Sequence, residues 1–242
     1  MDDTLNIAGF GQDSSLNGLQ VEGSKNVTKI ALAVDASDRS IRRAARAGAD
    51  LLTVHHGLFW GEAKPITGVT AARIRLLMEN GISLYAAHLP LDCHPEIGNN
   101  AALARLLELE KPVPFGIHRG VKIGLRGTLA RHISPQHLAR KIRNFLQSEV
   151  KIFPFGPPRI RKIGIVSGGG AFLAPDAADA GCDALLTGEP SHTAYHIARE
   201  SKLNLICAGH YATETLGLRS LGTLLRRELG LPVKFIDVPT GL

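Results

Sequence analysis

Histidine and acidic side chains occur in three short motifs, each of which directly follows an apolar run. The motifs are His55-His56, His88-Leu-Pro-Leu-Asp92 and His210-Tyr-Ala-Thr-Glu214. The last two share the spacing His-x-x-x-acid. Imidazole and carboxylate ligands without thiolates suit Zn, Mn or Fe, and bridging carboxylates hold two ions about 3.5–4 Å apart. The three motifs together therefore predict a metal site.

Each motif taken alone has a plainer interpretation. A His-His pair is commonly polar surface or a hydrogen-bonded core pair, and a single His-x-x-x-Asp is weaker evidence still. The metal prediction depends on all three motifs following strands. In α/β sheets, ligands gather beyond the carboxyl ends of the strands, where these motifs are expected to lie.

An internal repeat with an offset of 133 residues organises the chain. Lys29–Val34 matches Lys162–Ser167, Ala44–Leu52 matches Ala177–Leu185, and Ile82–His88 resembles Leu203–His210 at a shifted offset. Each half reads as strand, helix, strand, helix, strand, which favours a mainly parallel sheet covered on both faces. The sequence thus predicts a duplicated α/β protein with a first repeat over residues 1–115 and a second over 116–242.

Further elements are expected in the middle and at the end of the chain. They are a helix over Asn99–Glu110, a strand over Val121–Leu129, a helix over Ser134–Leu146, a strand over Val150–Phe155, a helix over Thr215–Leu229 and an edge strand over Val233–Val238. Pro135 suits the first position of its helix, and Gly230 suits the end of the last one.

Composition limits the class of protein. Hydrophobic residues make up 44% and charged residues 21% of the chain, which is ordinary for a globular protein. No basic, apolar leader precedes the first motifs, and no apolar run reaches the ~20 residues of a membrane helix. The three cysteines are scattered, which is typical of reduced thiols in a cytoplasmic protein. We therefore expect a soluble, cytoplasmic protein that does not bind membranes.

The positive charge is concentrated in the middle of the chain. Residues 111–162 contain 12 Lys/Arg and one acidic residue, although the net charge of the whole chain is only +6. Such a segment could attract phosphates or, more weakly, nucleic acid. A solvated helix face is the plainer interpretation. Ser167-Gly-Gly-Gly170 could cradle a phosphate, but a tight turn is the better interpretation.

A set of motifs spread over nearly the whole chain resembles the NIF-three-like proteins, also called GTP cyclohydrolase I type 2 homologues. The motifs are Asn17-Gly-Leu-Gln-Val21, His55-His-Gly-Leu-Phe-Trp60, His88-Leu-Pro-Leu-Asp92, Gly188-Glu189 and Gly209-His-Tyr-Ala-Thr-Glu214. The resemblance implies an α/β fold of two intertwined repeats with mixed, mostly parallel sheets. It also implies a toroidal homohexamer.

The resemblance further implies a dinuclear centre of two divalent ions (Fe, Mn or Zn), in which the glutamate bridges. Its ligands would be His55, His56, Asp92, His210 and Glu214. His88 would lie in the pocket without binding metal.

Two functions remain open at this point. The first is a metal-dependent hydrolase of the GTP cyclohydrolase type, acting on a nucleotide or a related phosphorylated compound. His88 or Glu189 would then serve as general acid or base. The second is a non-catalytic metal-binding ring that stores, delivers or senses ions. Since fold and site do not fix one reaction, the sequence leaves the substrate undetermined.

Overall fold

The computed structural model describes all 242 residues, and its contacts divide the chain into two compact units. The first unit comprises Met1–Leu91 and Gly217–Val238. The second comprises Asp92–Leu216 and the last four residues, Pro239–Leu242. The boundary predicted at residue 115 separates the two sequence repeats, whereas the two units are defined by the contacts within each of them.

The first unit contains a five-stranded sheet in the order β1-β4-β3-β2-β11. Its strands are β1 (Gly18–Val21), β2 (Ile30–Asp35), β3 (Leu51–His56), β4 (Ser83–Ala86) and β11 (Val233–Phe235). β1 is antiparallel to β4, and the other neighbours are parallel. Its helices are α1 (Asp2–Leu5), α2 (Asp38–Arg46) and α3 (Gly68–Glu79).

Continuous apolar strands form the core of the first unit. All residues of β4, and all but the last residue of β2 and of β3, are buried. Because a parallel strand covered on both faces exposes neither set of alternating side chains, its residues are predominantly apolar. Helix α2 packs Ile41 and Ala44 into this core and begins at a capping box between Ser37 and Ser40.

The second unit contains a six-stranded sheet in the order β5-β6-β8-β9-β10-β7. Its strands are β5 (Leu109–His118), β6 (Val121–Ile133), β7 (Lys151–Pro154), β8 (Ile160–Ile165), β9 (Ala184–Thr187) and β10 (Asn204–Cys207). β8, β9 and β10 are parallel, and the remaining pairs are antiparallel. Its helices are α5 (Asn99–Leu106), α6 (Pro135–Leu146), α7 (Ala174–Asp179) and α8 (His192–Glu200).

Two helices contain residues of both units, because the chain changes unit within them. They are α4 (Leu89–Cys93) and α9 (His210–Leu229). Both start at or directly after a histidine of the predicted metal motifs. The first turn of each helix therefore lies close to the carboxyl end of the preceding strand.

The duplication predicted from the sequence is present in the strand order. The order β1-β4-β3-β2 in the first unit has its counterpart in β7-β10-β9-β8 in the second, with an antiparallel strand beside three parallel ones in both. The mixed α/β architecture is thus confirmed, with a mostly parallel first sheet and a second sheet in which three of the five strand pairs are antiparallel. None of the helices combines the length and the apolar character that crossing a membrane requires.

Several element boundaries differ from the sequence prediction. Helix α5 ends at Leu106 and not at Glu110, because a new strand, β5, begins at Leu109. The sequence did not indicate β5, since Pro112 and Pro114 interrupt its pattern. The structure explains their presence: β5 is an edge strand, where a missing N–H is tolerated.

Candidate metal centre

In the first unit, polar side chains follow three neighbouring parallel strands. Asp35 ends β2, His55 and His56 end β3, and His88 lies two residues beyond β4. Asp35 is the cross-strand partner of His56 in the sheet register. The parallel sheet places all of these side chains at one edge, as the predicted strand ends required.

Three imidazoles converge at this edge. The ring centroid of His55 lies 4.7 Å from that of His56 and 5.0 Å from that of His88. One ligand nitrogen from each ring lies within 4.8 Å of the others, which makes the three a group that could hold a metal ion. The family resemblance implied His55 and His56 as ligands, with His88 beside them.

Hydrogen bonds hold the two adjacent histidines in defined orientations. The Nδ1 atom of His55 donates to the carbonyl oxygen of Ala87 at 2.9 Å, and the Nδ1 atom of His56 lies 2.9 Å from a carboxylate oxygen of Asp35. Since a carbonyl only accepts, His55 must carry its proton on Nδ1. Both rings therefore present Nε2 as the nitrogen for a metal, an arrangement typical of metal-binding histidines.

His88 is held by a buried aspartate from the N-terminal segment. Its Nδ1 atom lies 3.0 Å from Asp13, and its backbone N–H donates to the side chain of Asn17. Burial by itself raises the pKa of Asp13, but the hydrogen bond and charge of His88, with further donors, lower it to about 2. The N-terminal segment thus fixes the position of His88.

Other residues of the predicted family motifs support the same strand ends. The Trp60 ring lies edge-on to His88, with centroids 4.9 Å apart. Gln20 accepts a hydrogen bond from the backbone of Leu58, and its amide packs so closely on Gly57 that a Cβ there would collide with it. A larger residue at position 57 would therefore require the Gln20 amide to move.

In the second unit, His210 lies between two carboxylates. Its Nε2 atom lies 3.1 Å from Glu214 and its Nδ1 atom lies 3.2 Å from Glu189. The hydrogen bond to Glu214 raises the pKa of His210 to about 9, the charges of both carboxylates add to this, and burial opposes it. The two carboxylates therefore favour a positive charge on the His210 imidazole itself.

Asp92 is buried in the second unit and is oriented by two side chains. Its Oδ1 atom accepts hydrogen bonds from Asn99 at 2.8 Å and from the hydroxyl of Ser167 at 2.7 Å. The neighbouring Asn100 accepts from the backbone N–H of Ser167. The start of α5 and the end of β8 thus hold this carboxylate in place.

The glycine turn after β8 gives the Glu214 carboxylate its space. Gly168 has a φ of +59°, and a Cβ at this position would collide with Glu214 and lie 3.2 Å from the Nε2 atom of His210. Its carbonyl accepts from Thr187, and its N–H donates to Thr213. Ser167–Gly170 is accordingly a tight turn, the better of its two sequence interpretations.

The donor group of the first unit fits a transition metal, because it consists of oriented imidazoles without thiolates. Sequence reasoning did not find the residues that orient the ligands, which are Asp13, Asp35, Asn99 and Ser167. Asp35 had a usable signal, since it ends a buried strand next to the His-His strand. Asp13 had none, because it lies in an irregular segment far from His88 in the chain.

These observations define the class of the protein: an α/β protein with a repeated strand order and a histidine and carboxylate group that could hold a metal. The family model of Duf34/NIF3 (NGG1p interacting factor 3) matches residues 1–241. A relative from Archaeoglobus fulgidus, named GTP cyclohydrolase 1 type 2 homolog, is 46% identical over 242 residues, covering all of this chain and 96% of its own. The chain therefore belongs to the Duf34/NIF3 family, as the sequence resemblance indicated.

Solved structures agree with this assignment. The chain is similar to a protein named ybgI, of unknown function, with a TM-score of 0.92 and 40% identity. It is also similar to TTHA1606 from Thermus thermophilus, with a TM-score of 0.91 and 43% identity. Each comparison covers all of this chain and 96% of the other.

Proposed function

We propose that this protein binds two divalent metal ions and uses them in a hydrolytic reaction of the GTP cyclohydrolase type. The proposed ligands are His55, His56, Asp92, His210 and Glu214. The observation that carries the proposal is the convergence of the imidazoles of His55, His56 and His88, with ligand nitrogens within 4.8 Å of one another. The oriented carboxylates of Asp92 and Glu214 in the second unit support it.

The proposed ligand set suits three metals. Imidazole and carboxylate donors suit Fe, Mn and Zn, and the lack of thiolates argues against sites specialised for softer ions. When bound, divalent ions supply Lewis-acid activation of water and of a substrate oxygen. The proposed substrate is a nucleotide or a related phosphorylated compound, because the relatives are named GTP cyclohydrolase 1 type 2 homologs.

His88 is the proposed general acid or base. Asp13 holds its Nδ1 atom, so Nε2 is the nitrogen that can exchange a proton with a substrate. Glu189 is the second candidate for this role. Its hydrogen bond to His210 orients that imidazole. Its side chain is 44% exposed, so Glu189 is also accessible to a substrate.

The metal assignment is tested by elemental analysis after loading with Fe, Mn or Zn. We expect about two ions per chain for at least one metal. A stoichiometry near zero for all three would reject the ligand set. It would also reject the alternative function, a non-catalytic metal-binding ring protein, since both functions need the ions.

The reaction is tested by formate release from GTP, because cyclohydrolase chemistry removes C8 of guanine as formate. We expect the metal-loaded protein to release formate faster than Glu214→Gln and His88→Gln. If the loaded protein binds two ions and releases no more formate than these variants, the cyclohydrolase reaction is rejected. An untargeted metabolite-depletion assay then separates another hydrolase from the non-catalytic alternative.

A toroidal homohexamer is part of the same proposal, supported by the resemblance to the family. Light scattering coupled to size-exclusion chromatography tests it. A chain of 25.9 kDa should elute with a mass six times as large. A monomer or dimer at micromolar concentration would contradict the hexamer without affecting the metal ligands.

A further inference from the structure

A basic cavity lies on the sheet of the second unit, in the segment whose positive charge the proposed metal centre does not use. Its volume is about 290 Å³, and β5, β6, β8 and the turn before β9 line it. The sheet register places Glu110, Thr128 and Lys162 side by side on three adjacent strands. Arg126 lies two residues before Thr128, so its side chain emerges on the same face.

Three cations line this cavity against one carboxylate. The cations are Lys111, Arg126 and Lys162, and the carboxylate is Glu110. None of the three basic side chains makes a hydrogen bond or an ion pair with the protein. A concave site lined by one sign of charge concentrates its field and attracts ions of opposite sign. With three cations against the single carboxylate of Glu110, the cavity carries a net positive charge that favours an anion.

The backbone at Lys111 departs from regular strand geometry beside the cavity. Lys111 adopts a φ of +49°, a conformation uncommon for residues other than glycine. It does so at a bulge in the pairing of β5 with β6, between Glu110 and Val113. β-bulges change the direction of a side chain relative to its strand, and here the bulge residue lines the cavity.

This cavity is distinct from the candidate metal centre. Lys162 lies in the first half of β8, and Cys182 lies two residues before β9. Glu189 and His210 follow the carboxyl ends of their strands, and so does Ser167 after β8. Lys162 and Ser167 are therefore separated by roughly 16 Å along the strand direction. The cavity lies toward the opposite end of the parallel strands.

We propose that this cavity binds the phosphate group of a small molecule, such as a phosphomonoester or a diphosphate. Arg126 can bind phosphate oxygens in a bidentate manner, and the lysines supply compact positive charges. The hydroxyl of Thr128 adds a hydrogen-bond donor. No aromatic side chain lines the cavity, so recognition is of the phosphate and not of a stacked base. Burial raises the pKa of Cys182 to about 11, so its thiol adds no competing negative charge at neutral pH.

Calorimetric titration of the full-length, metal-loaded protein with inorganic pyrophosphate and with inorganic phosphate tests the proposal. We expect Arg126→Gln combined with Lys162→Gln to weaken pyrophosphate binding about tenfold or more, because charge-assisted hydrogen bonds are lost. Glu110→Gln should strengthen binding several-fold, since it removes the only carboxylate of the cavity. Arg140→Gln, in the same basic segment but outside the cavity, should leave binding unchanged.

The variant Glu214→Gln separates this site from the proposed metal centre. Pyrophosphate binding at the cavity should survive in Glu214→Gln, whether or not metal is lost. Binding that disappears in Glu214→Gln but persists in the Arg126→Gln, Lys162→Gln variant would overturn the proposal and assign the anion to the metal centre. An equal response to Arg140→Gln would overturn it too, as would failure of wild type to bind either anion at millimolar concentration. Circular dichroism confirms that each variant is folded.

Discussion

At the scale of single residues, the candidate ligands are held by partners that the sequence motifs do not include. His56 is hydrogen-bonded to Asp35, and His55 to the carbonyl of Ala87. A histidine whose Nδ1 is held in this way loses little rotational freedom when Nε2 binds a metal. The residues that should set the metal affinity thus extend beyond the five proposed ligands.

Asp35→Asn should weaken metal binding by roughly 10–100-fold, the usual effect of removing a carboxylate behind a ligand histidine. The amide is similar in size but lacks the charge that makes His56 a stronger donor to the metal. Chelator competition measures the affinity. Asp38→Asn, an exposed aspartate paired only with Arg42, is the matched control and should have no effect. Equal affinities in wild type and Asp35→Asn would show that His56 is not a ligand.

Glu214 and Asp92 should differ in the number of ions that they hold. The family resemblance implies that the glutamate bridges, and a bridge contributes to both ions. Glu214→Ala should therefore lower occupancy at both sites, whereas Asp92→Ala should leave one ion bound. Metal counting at matched free-ion concentration distinguishes them. The reverse pattern would assign the bridge to Asp92.

The pair of Asp13 and His88 should make stability depend on pH in acid. Asp13 is buried with its pKa lowered from 3.8 to about 2, so its contribution is fully present above pH ~4 and is lost as the pH falls through 2. The size of the contribution is on the order of 2 kcal/mol, of which about half is lost by pH 3. Urea unfolding at pH 5 and pH 3 measures it. The stability gap between wild type and Asp13→Asn should shrink over this range, and a constant gap would contradict the assignment.

At the scale of elements, the turn after β8 couples backbone conformation to the ligand set. Gly168 combines a φ of +59° with close contact to Glu214, so both conditions require glycine. Gly169 satisfies neither, since its φ is −78° and a Cβ would lie 3.6 Å from Glu189, an ordinary contact. The two adjacent glycines thus provide a test and its control.

Gly168→Ala should displace the Glu214 carboxylate and lower metal occupancy, and should cost about 1–2 kcal/mol of stability from backbone strain alone. Gly169→Ala should retain metal. Elemental analysis and urea unfolding of both variants measure these effects. Loss of metal in both variants, or in neither, would mean that the turn does not position Glu214.

The strand ends were predictable, because apolar runs followed by polar residues mark the carboxyl ends of buried parallel strands. The start of α9 was not predicted correctly. The sequence placed it at Thr215, whereas the helix begins at His210. The helical spacing of His-x-x-x-Glu explains the difference, since residues i and i+4 meet on one helix face and the contact between His210 and Glu214 depends on it. Asp13 could not be predicted, because its contact with His88 spans 75 residues and depends on tertiary packing.

At the scale of the whole molecule, each unit repeats one strand order, and a His-x-x-x-acid motif follows the corresponding strand of each repeat. His88 follows β4 and His210 follows its counterpart β10. Duplication accounts for the shared spacing of the two His-x-x-x-acid motifs. Since a bound metal favours the folded chain over the unfolded one, occupancy of the proposed ligands should raise the stability of the protein.

Metal at about 100 times its Kd should stabilise the folded protein by ~2.7 kcal/mol, because the ion binds the folded chain and not the unfolded one. For a chain of this size that corresponds to a rise in Tm of about 5–10 °C. Differential scanning calorimetry with and without chelator measures it. Glu214→Gln should lose most of the rise, whereas Glu228→Gln, an exposed glutamate of the same helix, should keep it.

Exposed histidines could bind metal adventitiously, in particular His192 and His196, whose rings lie 5.1 Å apart on α8. His192→Gln should therefore keep the full rise in Tm, and a rise that disappears in His192→Gln but persists in Glu214→Gln would assign the stabilising ion to that surface pair.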